Sequence, residues 1–517
     1  DFLTGGTLRM KYRWIFALSI AAALALSVLV SGMEPEHNRY HQHLEAEEKP
    51  PCTDHDEFVF CTHLPLMEIT TDAPVPKPYL GEIDEKIENI WDVSNSFRNY
   101  EMVAASVRYF DSETENNHLT DRPAVEARAM FRIRGASSRL LDKKNYLLKF
   151  TEEDMTQSLD VSLSGMTADS SWALHGPFLD KSLIRNYLCY NLAGEIMDYA
   201  PNVRFCELFL NGEYLGLYLL TEKIGYSENG RIDFTKTDPN LTVTSYILQV
   251  DRGAADPRYN LETFGSDCYL TRTKVRAGQG HIEILYPGKT LTQNQYDYIN
   301  SDFSRFEKAI FSFDYNHPDR GYRRYIDVRS FIDFFLINEF TLNYDAPGLS
   351  TYLYKDVSGR LNMCVWDFDA AFDYYRYSEV TPETFRIHNA LWFQYLFKDK
   401  AFVDQVVDRY ADFRKRFFNE EYLFQYIDET VTYLGPAIQR NYAKWGYSFN
   451  STYNGVNYDY LEPESRNVRS FDEAIQQIKD TITLRLEHMD NNLDRLYTLC
   501  HESMNKRYNH QTEAGGT

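Results

Sequence analysis

Residues 343–369 read NYDAPGLSTYLYKDVSGRLNMCVWDFD, and three acids stand at decisive places in them. Asp345 follows FIDFFLINEFTLN (331–343), which is apolar nearly all round and so predicts a buried helix. Asp367 and Asp369 follow a predicted hairpin, in which TYLYKD and RLNMCVWDFD flank Val357-Ser358-Gly359. On a strand, side chains alternate between faces, which puts Asp367 and Asp369 on one face and Phe368 on the other. Three carboxylates gathered in this way suit a hard divalent cation such as Mg²⁺. Such an ion takes oxygen ligands and keeps water and phosphate oxygens in its shell.

Outward from this stretch, the N-terminal side is strand-rich. LPLMEITTD (64–72), MVAASVRYF (102–110) and VEARAMFRIRG (125–135) alternate apolar and polar residues as half-buried strands do. RGASSRLLDKK reads as a loop, and NYLLKF (145–150) as a further strand. Leu183, Ile184, Leu188, Leu192 and Ile196 fall at helical spacing within 180–198. VRFCELFLNGEYLGLYLLTEKI (203–224) predicts a hairpin turning at Asn211-Gly212. Beyond it the pattern turns helical, with amphipathic segments over 400–443 and 471–497. Strands first and helices after is an α+β order. Trp172, Trp366 and Trp392 read as core residues.

Composition narrows the function classes. The 517 residues include 39 Tyr and 33 Phe, enough ring surface for a large core. A net charge of −22 repels nucleic-acid phosphates and anionic lipids, so no nucleic-acid partner is expected. Lys11 and Arg13 precede an apolar run from Trp14 to Val30, followed by Ser31 and Gly32. This is the build of a secretory signal, or of an anchor if it stays uncleaved, and it predicts an exported protein that meets the membrane only through this segment. Residues 33–63 read as a polar linker, with His37, His41 and His43 as part of a solvated tether. Seven widely spread cysteines do not make a disulfide framework, although Cys52 and Cys61 are close enough in sequence to pair.

A helix, an Asp-bearing loop, a hairpin and then Asp-Phe resembles the catalytic segment of protein kinases. Trp366-Asp367-Phe368-Asp369 and the Tyr-Leu-Tyr strand before it resemble the CotH kinase family in particular. Three further stretches resemble that family in the same order. They are Arg134-Gly135-Ala136-Ser137-Ser138, the run Asp180 to Asn186 (Asp-x-Ser-x-x-Arg-Asn), and Asn211-Gly212-Glu213-Tyr214-Leu215-Gly216-Leu217-Tyr218. The resemblance spans about residues 64–497.

The resemblance implies an atypical kinase-like fold. Its parts would be an upstream extension with signal or anchor (1–32), the linker (33–63), a strand-rich N-terminal lobe (64–224), a helix-rich C-terminal lobe (225–500) and a polar tail (501–517). It implies ATP and Mg²⁺ as cofactors. Asp345 would act on the acceptor hydroxyl, and Asp367 and Asp369 would hold the metal with Ser350, which stands where kinases carry Asn. Lys149 takes the place of the phosphate-pairing strand lysine, with Lys144 as the alternative. Gly135, Ser137 and Ser138 would cradle phosphate, and Glu222 would lie at the hinge near the base. No acid of the 180–198 helix stands out as partner of that lysine. The implied activity is phosphoryl transfer from ATP to Ser or Thr of a surface or coat protein. The alternatives are an exported binding or structural protein with weakened chemistry, and a metal-assisted hydrolase.

Overall fold

Alternation in the first half of the chain closes into a barrel. The structure, a computed structural model, describes residues 41–46, 49–50, 59–77, 101–228, 230–253, 256–262, 281–375 and 380–501. Seven strands form the barrel: β1 (Leu66–Thr71), β2 (Val103–Phe110), β3 (Val125–Arg134), β4 (Asn145–Thr151), β5 (Ser171–His175), β6 (Val203–Leu210) and β7 (Glu213–Glu222). The order around it is β1-β2-β3-β4-β5-β7-β6, and β6 closes on β1 as the barrel's one parallel pair. Every second residue points inward, as strand geometry requires. Ala127, Ala129, Phe131 and Ile133 of β3 meet Tyr146, Leu148 and Phe150 of β4 and Trp172 and Leu174 of β5 inside.

The outward residues on one side of the barrel are also apolar. Ala173, Phe205, Leu217 and Leu219 join a second, larger core shared with helix α1 (Arg185–Ile196) and the C-terminal half. α1 is buried on nearly every side, so its first turn needs internal partners. Asp180 supplies them. Its carboxylate accepts from the Ser182 and Arg185 amides at 3.0 and 2.9 Å and pairs with the buried Arg185 guanidinium at 2.6 Å.

The C-terminal half holds two strands beyond the helices and the hairpin expected from sequence. Tyr246–Asp251 (β8) and His281–Tyr286 (β9) pair with the hairpin strands β10 (Thr351–Lys355) and β11 (Asn362–Cys364) in the order β9-β8-β10-β11. In β8 Tyr246, Leu248 and Val250 are buried on one face and Ile247 on the other, so apolar and polar residues do not alternate cleanly. Around the sheet stand α2 (Gln293–Phe311), α3 (Val328–Phe340), α4 (Lys400–Arg416), α5 (Glu420–Leu434), α6 (Pro436–Trp445) and α7 (Phe471–Asn492). The whole is a mixed α+β architecture.

The linker expectation for 33–63 is also corrected where it can be seen. His41 and Gln42 are buried at 1% and 4% exposure. His41 bridges Tyr426 and Glu195 at 3.0 and 2.6 Å. Gln42 behaves like a strand neighbour of β6, since its amide accepts from Phe205 N at 2.6 Å and donates to Phe205 O at 3.1 Å. Burial, and then His41, push His43 down to about 3, so it docks as a neutral ring against Tyr187. Residues 1–40, Cys52, Cys268 and the tail from 502 lie outside the described residues, and the signal or anchor run and the Cys52 pairing lie with them. Among the described residues no helix is long and apolar enough to cross a membrane.

Gln42→Ala leaves a buried amide and carbonyl at Phe205 unpaired. It is expected to lower unfolding free energy by about 1–3 kcal/mol, measured by urea denaturation.

Candidate active site

Strand alternation that fills the barrel with rings also turns Arg132, Arg134, Asn145, Leu147, Ser171 and His175 outward on β3, β4 and β5. They form one wall of a cavity of about 1080 Å³. The other wall comes from β8, β9 and the loops that follow α3 and β11. Asp345, Ser350, Asp367 and Asp369 line it, as do Gly135 and Ser138. Ser137 carries a side chain outside the described residues.

Asp367 and Asp369 reach one cavity by a route other than strand alternation. β11 ends at Cys364, and Asp367 takes a left-handed backbone with φ 62°. Two hydrogen bonds hold that conformation: Asp367 N donates to Tyr190 Oη at 3.0 Å, and Asn343 Nδ2 donates to Asp367 O at 3.1 Å. Phe368 is fully buried and meets Tyr190 edge-on at 5.6 Å. Asn186 then grips the loop twice. Its Oδ1 accepts from Phe368 N at 2.8 Å, and its Nδ2 donates to Asp369. His175 Nε2 lies 2.9 Å from Asp369.

The Asp345 loop is held from behind. Arg386 Nη1 donates to the carbonyls of Asn343 and Ala346, both at 2.9 Å, and its guanidinium lies 4.3 Å from the centre of the Tyr344 ring. Glu339, the penultimate residue of α3, accepts the Arg386 and Ile387 amides and pairs with Arg485 of α7 at 3.2 Å, with both side chains fully buried.

The acids are electrostatically crowded. Burial, and then the charges of Asp369 and Asp345, push the Asp367 carboxyl up to about 7. Burial also raises Asp345, against the pull of Arg252 and Arg386. The expectation that three carboxylates close round one cation is not met. Among the described residues no three His, Cys, Asp or Glu side chains come together closely enough to hold a metal. His175 and Asn186 both engage Asp369 at Oδ1, which orients its carboxylate. The donor set still fits Mg²⁺, which is commonly bound through one or two carboxylates with water and substrate phosphates completing the shell. The uncompensated charge on Asp367 is what such a cation relieves.

On the barrel wall the sign is opposite. Arg134 lies 5.3 Å from the centre of the Trp366 ring, half-buried, with no carboxylate of a described residue in ion-pair reach. Lys223, just past β7, opens into the cavity. Enclosure by protein, and then Lys149, Arg134 and Arg132, push it down to about 8. Asp169 shares this wall, and burial pushes its carboxyl up to about 6.

Three expected residues stay outside the lining. Lys149 shares the outward face of Asn145 and Leu147 but sits past the cavity's edge, exposed, with no acid of a described residue paired to it. Glu195, one candidate partner on its helix, is taken by His41. Lys144 donates to the carbonyls of Arg139 and Leu141 at 2.9 and 2.5 Å, and so staples the loop that precedes it. Glu222 accepts from the Asn202 amide and side chain at 2.8 and 3.0 Å and lies 3.5 Å from Arg231. Thr221 and Lys223 on either side of it line the cavity instead. Gly135 is required locally: at φ 109° any Cβ would run into Ser138 Oγ.

Sequence reasoning missed His175, Tyr190 and the role of Arg134. Asn186 closes the Asp-x-Ser-x-x-Arg-Asn run, whose pattern alone gives it no role. A model of the family described as CotH kinase protein matches residues 131–489, more than two thirds of the chain. No curated protein matches it.

Asn186→Asp places another carboxylate against Asp369 and removes a donor. It is expected to be about 1–3 kcal/mol less stable than Asn186→Ala at pH 8. Like-charge crowding raises a carboxyl's folded pKa, so this penalty exists above the unfolded pKa and fades on acidification. The gap should narrow by pH 4 in parallel denaturation series.

Proposed function

The chain belongs to the CotH kinase protein family, and from that premise we propose that it transfers the γ-phosphoryl group of ATP, with Mg²⁺, to a Ser or Thr hydroxyl of a protein at the cell surface or coat. The observation that carries this reading is one cavity lined by both signs, with Asp345, Asp367 and Asp369 alongside Arg132, Arg134 and Lys223. A polyphosphate with a cation needs both signs at once.

In this reading Asp367 and Asp369 hold the metal, which when bound supplies charge neutralisation on the phosphate oxygens. Arg134 takes the phosphate-pairing role, because it faces the cavity without a carboxylate partner. A guanidinium presents a planar fork suited to phosphate oxygens. Asp345 orients the acceptor hydroxyl and receives its proton as that oxygen bonds to the γ-phosphorus. The bond from the γ-phosphorus to the bridging oxygen breaks and ADP leaves. His175 and Asn186 position Asp369. The apolar run Trp14–Val30 supports export.

A second reading, a binding protein on the same scaffold with weakened chemistry, draws on Lys149 lying beyond the cavity and on Ser350 in place of the kinase Asn.

Mg-ATP is expected to raise the melting temperature of the purified chain, and labelled γ-phosphate should pass to protein Ser or Thr. Asp345→Asn and Asp367→Ala should each reduce transfer by about 10²-fold or more. Arg134→Ala should raise KM for ATP about tenfold, on the order of 1.4 kcal/mol, while Lys149→Ala changes it by less than about twofold. Stabilisation by Mg-ATP with no label transfer selects the binding reading, and neither effect sinks both uses of ATP.

A further inference from the structure

Away from the large cavity, an open cleft of about 630 Å³ lies at the start of α3. Arg323, Arg324, Arg329 and Arg360 line it against Asp319 and Asp327, a surplus of two positive charges. The chain as a whole carries −22, so the local sign is inverted.

Two carboxylates outside the cleft each reach one of these arginines, and Arg324 and Arg360 carry no carboxylate partner among the described residues. Arg323 Nη1 pairs with Asp399 at 2.7 Å, and its Nη2 is buried without a hydrogen-bond partner. Arg329 reaches Asp333 only at 3.5 Å. Arg324 reaches the Asp319 carbonyl at 3.5 Å. Arg360 has no carboxylate of a described residue in ion-pair reach. The Asp327 carboxylate is already engaged, accepting from Ser330 N at 2.9 Å as the cap of α3.

The arginines are also held together from below. Arg360 comes from the β10–β11 hairpin and the other three from the segment entering α3. Asp327 N donates to Leu361 O and Leu361 N to Tyr325 O, both at 2.9 Å, over the buried Ile326 and Leu361. A backbone clamp therefore fixes Arg360 beside Arg324, so the concentration of like charge does not disperse by loop movement.

We propose that this cleft is a binding site for a phosphomonoester dianion, carried on a phosphorylated side chain or as free phosphate. Guanidinium forks match phosphate oxygens, Arg324 and Arg360 are the two exposed arginines without a described carboxylate partner, and the N-terminal end of α3 adds partial positive charge. A long polyanion is disfavoured by the acidic remainder of the surface. The site stands independently of the phosphoryl-transfer reading. It lies one length of α3, about 20 Å for 13 residues, from the Asp345 loop, so an anion here does not compete with one in the cavity.

The test titrates O-phosphoserine, and separately inorganic phosphate, into the full chain at constant ionic strength set with chloride. Melting temperature and calorimetric heat are followed. Wild type is compared with the Arg324→Ala/Arg360→Ala double variant, whose two side chains are exposed and whose unliganded melting temperature should be unchanged. Arg134→Ala controls for the large cavity. Wild type and Arg134→Ala are expected to give saturable binding that weakens at least tenfold in the double variant. Response to phosphoserine assigns a phosphorylated side chain as the source, and response to inorganic phosphate alone assigns free phosphate. No saturable response in wild type overturns the proposal. So does equal binding by the double variant, or a response abolished by Arg134→Ala and kept by the double variant.

Discussion

Asn186 holds the acidic loop at two points, through Phe368 N and the Asp369 carboxylate, and the geometry of the cavity follows from that grip. The amide is useful only because α1 starts where it does. Asp180 fixes the start by accepting two amides and the Arg185 guanidinium, and Arg185 Nε extends the same contact to Ala371 O at 3.0 Å. Arg185 is fully buried, so removing Asp180 would strand a charge, a loss on the order of 3–5 kcal/mol. The first turn of α1 is thus at once a helix start, a core element and the support of the site. The Asp-x-Ser-x-x-Arg-Asn order places each role at the spacing the turn requires.

Crowded carboxylates destabilise a fold unless something offsets them. Here the offset is arranged at separate levels. Asp369 has His175, Asp345 has Arg252 and Arg386 nearby, and Asp367 is left as the strongly perturbed member. The barrel wall adds further cations, Arg132, Arg134 and Lys223. A cavity lined by buried groups of both signs is well matched to a ligand that brings both a polyanion and a cation. Perturbed groups facing each other across a cleft are the mark of a working site more than of a stability device.

How much of this was legible in the sequence depended on whether a residue's neighbours were local. β3, β4, the β6–β7 hairpin and α3 declared themselves by alternation or by all-round apolarity. β8 did not, because Ile247 is buried on the face opposite Tyr246, Leu248 and Val250, and β5 is too short to show a period. Asp345, Asp367 and Asp369 were readable because each stands at the end of a recognisable element. His175 was not, since its importance comes from β5 lying beside α1. Lys149 lies outside the lining for a geometrical reason: it shares the outward face of β4, but the strand runs on past the cavity's edge, and Arg134 of the adjacent strand lines it. The supposed linker misled for the opposite reason. A polar segment reads as a tether, yet the Gln42 side chain can imitate a strand's backbone amide and be buried.

The loop itself explains why an aspartate can stand where the kinase resemblance centres. A residue at φ 62° is strained unless it is Gly, Asn or Asp, the types most tolerant of left-handed backbone. Asp367 is of this tolerant type, and it lines the cavity. The cost of that backbone, on the order of 1 kcal/mol, is offset by the bonds from Asn343 and to Tyr190. Both partners come from helix-anchored positions, Asn343 just beyond α3 and Tyr190 within α1. The strained residue is therefore held between the two helices that border the site. The placement of the Asp367 carboxylate is thus tied to the packing of α1 against α3.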